Sequence, residues 1–216
     1  MDKIKTITFI SLLLFNSIAN ATLINRGNGM IYDSGQDITW LADANYAMTS
    51  GYDLDGVMTW GEANAWASQL IYEGFTDWRL PTTPFIDISC SDTTGNAKGY
   101  NCTLPEMASL FYSELGGAAL NSISTLHNSK FDLFSNIQVN PVATIYWYGT
   151  QAPPPDNIDK AWFFFFSTGD QDYSYKDLDG YAWAVHDGDI GLSVPEPSTY
   201  LLLLSGLIVL RRKQNK

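Results

Sequence analysis

GFTDWRLPT, Gly74–Thr82, sets an arginine between a tryptophan and a Leu-Pro pair. The guanidinium of Arg79 must therefore lie against apolar surroundings. It carries five N–H donors in a rigid fork and keeps its charge, so such a placement demands acceptors. The expectation is a structural crosslink rather than a ligand contact: Arg79 ties loop carbonyls to a carboxylate such as Asp77.

Working outward, TWGEANAWASQL (residues 59–70) places Ala63, Trp66, Ala67 and Leu70 at helical spacing, with Thr59 and Glu62 as a capping box and Gly74 just past the end. Upstream, GMIYDSGQDITWL predicts a hairpin, with strands Met30–Tyr32 and Ile38–Leu41 around the turn Asp33–Asp37. Downstream, TLPEMASLFYSELGG predicts a second helix. Thr103 and Glu106 match a capping box, Pro105 sits in the first turn, Met107, Leu110 and Phe111 share a face, and Gly116-Gly117 stops it. Three strands follow, over residues 144–148, 161–166 and 181–185. The FFFF run within the second has no polar face and should be covered on both sides. The tetrapeptide DLDG occurs at Asp53–Gly56 and again at Asp177–Gly180.

The two ends read as addresses. Lys3 and Lys5, the apolar run Ile7–Phe15 and the Ala19-Asn20-Ala21 site have the layout of a secretory signal peptide, with Thr22 as the mature N-terminus. At the other end, Ser198 to Leu210 is an apolar stretch of 13 residues. As a helix it is roughly 20 Å long, short against a hydrocarbon core of about 30 Å. Arg211, Arg212, Lys213 and Lys216 follow at once and hold that end in the cytoplasm by the positive-inside rule. Pro195-Glu196-Pro197, the short transmembrane helix containing Gly206 and the basic tail resemble the PEP-CTERM sorting signal of Gram-negative bacteria. The resemblance implies transient residence in the inner membrane, cleavage by an exosortase near Pro-Glu-Pro, and release to the outer surface or extracellular matrix. The expected organisation is a signal peptide over 1–21, one domain over 22–194 and a sorting signal over 195–216.

Residues 22–194 carry 6 Lys and Arg against 21 Asp and Glu, a net charge of −15. That excludes nucleic acid and anionic membrane surfaces as partners, since both present phosphate; cations and neutral sugars remain compatible. Export to an oxidising compartment predicts a disulfide between Cys90 and Cys102 across a short, turn-rich loop.

TWGEANAWASQL, GFTDWRLPT, EMASLF, YWYGT, AWFFFF and Lys176 followed by YAWAV occur in the order of the DUF1566 or Lcl C-terminal family, over about Asp37 to Asp187. The resemblance implies an α+β, C-type-lectin-like fold: two helices packed on twisted antiparallel sheets with long loops. It also implies kinship with surface and adhesin proteins, some of which bind glycans. The chain departs from many relatives at His186, where they carry Arg.

Two patterns suggest a binding site. Gly51–Glu62 can be laid on a calcium loop, with Asp53 and Asp55 at positions 3 and 5, Gly56 at the turn and Glu62 closing it. Gly51 stands where the first carboxylate belongs, so an Asp-Gly turn plus the Thr59–Glu62 cap is the preferred reading of the same residues. Trp147 and Tyr148, with Tyr173 and Tyr175 among Asp170, Asp172, Asp177 and Asp179, supply the aromatic faces and acceptors that sugars require. Trp162, Trp183 and the FFFF run are assigned to the core. His127 and His186 are isolated, and no nucleophile-elbow or phosphate-loop motif is present. The resulting expectation is a non-enzymatic protein that binds carbohydrate. The alternatives are a glycan-cleaving enzyme using two carboxylates and a purely structural matrix protein.

Overall fold

A computed structural model describes residues 22–85, 87–90, 98–140 and 144–191. The expected signal peptide and the Pro195–Pro197 sorting motif with its basic tail lie outside the described residues. In chain order the strands are β1 (Leu23–Gly27), β2 (Met30–Asp33), β3 (Ile38–Leu41), β4 (Val57–Met58), β5 (Tyr146–Gln151), β6 (Lys160–Phe164), β7 (Gln171–Tyr175), β8 (Gly180–Tyr181) and β9 (Val185–Asp187). The helices are α1 (Tyr46–Thr49), α2 (Trp60–Gln69) and α3 (Glu106–Ser109). Among the described residues no helix is long and apolar enough to cross a membrane.

The predicted hairpin forms, with Met30 opposite Leu41 and Asp33 opposite Ile38. Its turn is held by the Asp33 carboxylate, which accepts the N–H of Gly35 at 2.9 Å and of Gln36 at 3.2 Å. β1 and β9 flank the hairpin to give the antiparallel order β1-β2-β3-β9. The second sheet runs β4-β8-β5-β6-β7, antiparallel apart from the β5–β8 pair. The fold is thus mostly sheet with a few short helices, in line with an α+β class. Helix α2 begins with the predicted capping box and buries Ala63, Trp66 and Ala67.

Three expectations are corrected. The second helix is α3 plus one π turn, Leu110–Glu114, closed by the Leu115 N–H to Leu110 carbonyl bond at 2.9 Å. Thr103 does not cap it: Pro105 takes the cap position without a side-chain bond, because the Glu106 carboxylate is drawn instead to a guanidinium, a stronger partner than a neutral N–H. The last predicted strand splits into β8 and β9, since Ala182–Ala184 carry the chain from one sheet to the other, fully buried. The acidic stretch after Asp170 begins as strand β7, paired along its length with β6, because QDYSY alternates against the pleat despite its charge.

Trp183 sits at that crossing. Its ring meets Trp40 at 5.1 Å, Phe134 at 5.3 Å, Phe166 at 5.4 Å and Tyr146 at 5.9 Å between centroids. Its indole N–H donates to the Leu41 carbonyl at 2.7 Å, so burial leaves no polar atom stranded. The FFFF strand is covered on both faces, with Trp162, Phe163 and Phe164 all buried. Trp183→Ala removes the ring that joins both sheets and leaves a cavity. It should cost about 3–5 kcal/mol, read as a fall in the denaturation midpoint.

Candidate functional site

The block GFTDWRLPT crosses the molecule from sheet to sheet. Arg79 makes a two-bond bridge to Val185 of β9 at 2.9 and 2.8 Å, and the Pro81 carbonyl accepts Gly149 N–H of β5 at 2.8 Å. All five guanidinium donors of Arg79 are used. Nη1 and Nη2 grip the two Glu106 oxygens at 2.8 Å each, Nε and Nη2 reach Asp187 Oδ1 at 2.9 and 2.6 Å, and Nη1 also reaches the Leu80 carbonyl at 3.1 Å. Burial works against this charge, but the bonds and charge of Glu106, then Asp187, outweigh it and raise the arginine pKa further. The expected structural crosslink is present with a different carboxylate: Asp77 accepts from Thr76 at 3.1 Å, while the neighbours of Arg79 come from α3 and β9. Sequence distance hid them, Glu106 being 27 residues away and Asp187 108.

Glu106 also accepts the Thr82 N–H at 2.6 Å, and the Thr82 carbonyl accepts Glu106 N–H at 3.0 Å. This fixes one wall of an open cleft of about 530 Å³, lined by Gly35 and Gln36 of the hairpin turn, Thr82–Pro84, Thr103-Leu104, Glu106 and Ser109. The volume falls within the ~300–1,000 Å³ of small-ligand sites. Gln36 spends its amide N–H groups on Asp33 at 2.8 Å and the Glu106 carbonyl at 3.2 Å, which leaves its oxygen as the acceptor. The hydroxyls of Thr82, Thr103 and Ser109 are committed to no partner among the described residues. Behind Thr83, the fully buried Gln171 donates to its hydroxyl at 3.4 Å.

The opposite wall is clamped twice. Cys90 and Cys102 form the expected disulfide. Beside it the buried Asp87 accepts Ser89 N–H at 2.8 Å and its hydroxyl at 2.5 Å, and Ser89 Oγ in turn accepts the N–H groups of Thr103 at 2.8 Å and Leu104 at 3.2 Å. Asp87, Cys90 and Cys102 are the one group of three potential metal-ligand atoms within 4.8 Å of one another among the described residues. Sulfurs bonded to each other offer no thiolate to a metal.

The residues singled out for a ligand are placed elsewhere. Trp147 and Tyr148 are wholly buried in β5, a correction to the expected sugar face: the Trp147 indole donates to the Met58 carbonyl at 3.1 Å. Strand alternation fails as a guide here because this sheet is covered on both sides. Tyr173 is half-buried and its ring is taken, with Lys98 Nζ 3.5 Å from the centroid and the Trp162 edge at 5.1 Å. Tyr175 alone keeps about half its surface, beneath Lys160 at 5.2 Å.

Asp53, Asp55 and Glu62 do not bring three carboxylate oxygens within 4.8 Å of one another. Asp53 accepts Gly56 N–H at 2.8 Å and Asp55 N–H at 3.1 Å, and Asp55 accepts Val57 N–H at 3.2 Å. Glu62 Oε2 accepts Thr59 Oγ1–H at 2.7 Å and Thr59 N–H at 3.0 Å. Gly56 is required at this turn: its φ is +80°, and a Cβ would collide with Asn45 Oδ1. The turn-and-cap reading thus describes the loop.

The lining residues Gln36, Thr83, Thr103 and Ser109 were not anticipated. Scattered hydroxyls and amides form no pattern, and Thr82, the end of the DWRLPT block, was the one pointer to them. Residues 29–186 match the family model described as Lcl C-terminal domain. No curated protein and no solved structure matches the chain.

Two outcomes follow from this geometry. The Thr59 hydroxyl and then its N–H hold the Glu62 carboxyl below its usual range, and Gly56 and then Asp55 N–H groups do the same for Asp53. Both contributions are present above the ordinary carboxylate pKa and fade as pH falls through the lowered values. Thr59→Ala should cost about 1 kcal/mol and return most of the Glu62 shift, read by NMR titration, with millimolar calcium leaving the melting temperature of the parent unchanged. Replacing both Cys90 and Cys102 with Ala should cost about 3 kcal/mol in the chain-entropy view, measured by chemical denaturation.

Proposed function

The chain belongs to the Lcl C-terminal domain family, and from that premise we propose that it is an exported, non-enzymatic domain of C-type-lectin-like fold. It binds carbohydrate of the extracellular matrix or cell surface in the cleft beside Arg79. The observation that carries this reading is the lining: hydroxyls and an amide oxygen suited to sugar hydroxyls, next to Leu104 and Pro84, which suit the C–H face of a ring. A sugar-cleaving mechanism requires two carboxyl groups roughly 5–10 Å apart across the bond. Among the described residues Glu106 is the single carboxylate in the lining, and it is locked to Arg79 and Thr82. Two sheets with short helices and long loops support the lectin-like reading of the fold, and the disulfide suits an oxidising destination. Delivery would run through the signal peptide and exosortase processing at Pro195–Pro197.

The test is a polysaccharide-binding measurement on the full chain. Thr103→Ala with Ser109→Ala should weaken binding about tenfold through lost hydrogen bonds, with an unchanged melting temperature. Parent-like binding by that variant would move the ligand away from the cleft, and release of reducing ends from a polysaccharide would establish the enzymatic alternative.

A further inference from the structure

Resting on the carbohydrate reading of the cleft, we propose that its ligand is a neutral polysaccharide, and that uronate- and sulfate-bearing glycans are rejected. Among the described residues the lining contains no lysine, arginine or histidine, and its one charged group is the Glu106 carboxylate. An incoming anion would give up its hydration without meeting an uncommitted cation in that lining, and an unpaired charge is costly to desolvate. The nearest cation, Arg79, has every donor committed to Glu106, Asp187 and the Leu80 carbonyl. It could receive an anionic sugar only by releasing the bonds that fix the wall.

The rest of the domain offers no substitute. Of the six basic residues in 22–194, Arg26 pairs with Asp189, Arg79 with Glu106 and Asp187, Lys98 with Asp172, Lys130 with Glu114 and Lys160 with Asp156. Lys176 donates to the carbonyls of Asn157 at 2.9 Å and Ile158 at 3.0 Å. With a net charge of −15 over residues 22–194, the long-range field also repels polyanions. A cationic amino sugar gains little in compensation, because Glu106 already accepts three bonds and its charge is answered by Arg79. Neutral hydroxyls are what the uncommitted oxygens of Gln36, Thr82, Thr103 and Ser109 can serve.

The experiment measures binding of the full chain to matched polymers: neutral glucan, mannan and galactan, and the same three after C6 oxidation to uronates or after sulfation, in about 0.15 M salt. At least one neutral polymer should bind saturably, and its charged derivatives at least about tenfold more weakly. Thr103→Lys, which sets a cation in the exposed lining, should raise affinity for the charged derivative of the bound polymer. If the weakening came from altered hydroxyls instead, the lysine would restore nothing and the charge argument would fall. A derivative bound as tightly as its neutral parent overturns the proposal while leaving the carbohydrate reading intact. Absence of binding to all of the polymers, neutral and charged, overturns both.

Discussion

The guanidinium of Arg79 is the constraint on which the rest of the molecule is arranged. A half-buried arginine cannot neutralise itself, and the fold brings acceptors to all five of its donors. Two of the acceptors come from the first turn of α3, one from β9 and one from the arginine's own loop. Meeting that demand fixes α3 against the sheet edge and sets Thr82 and Glu106 as one rigid wall. The side chain of Arg79 is 30% exposed and that of Glu106 15%. Some water therefore reaches the pair, and removing one partner costs less than the ~3–5 kcal/mol of a fully buried one. Its value lies as much in register as in stability.

The aromatic core supplies the cohesion that this polar knot lacks. Trp40, Phe134, Tyr146, Phe166 and Trp183 meet through edge and tilted contacts, the geometry the ring quadrupole favours. The indole N–H groups of Trp60, Trp147 and Trp183 donate to the backbone carbonyls of Tyr148, Met58 and Leu41. A net-negative domain with few cations can still hold together, because each basic side chain is spent on a carboxylate or a carbonyl nearby.

Much of the fold was legible in the sequence, for local reasons. The Met30–Leu41 hairpin follows from alternation around an Asx turn, and α2 from helical spacing behind a capping box. The covered FFFF strand has no polar face to expose. The splitting of the last strand and the pairing of β7 were not legible, since both depend on partners distant in sequence. The site was less legible still. Its walls meet only because Arg79, Glu106 and the disulfide bring residues 82–84 and 103–109 together, and its lining is made of residue types common on any surface. The aromatic and acidic residues that drew attention had local uses instead: Trp147 and Tyr148 as core, Asp53 and Glu62 as turn and cap.

The clamp formed by the Cys90–Cys102 bond and the Asp87–Ser89 relay separates the shape of the wall from the sequence of the chain that leads to it. Thr103 and Leu104 take their position from Ser89, on the near side of the bond, while Gly99 is held independently by Gln171 of β7. The two anchorages answer to different parts of the fold. A change at Gly99 falls on the contact with β7, a change at Ser89 on the wall, and neither needs to pass its effect to the other.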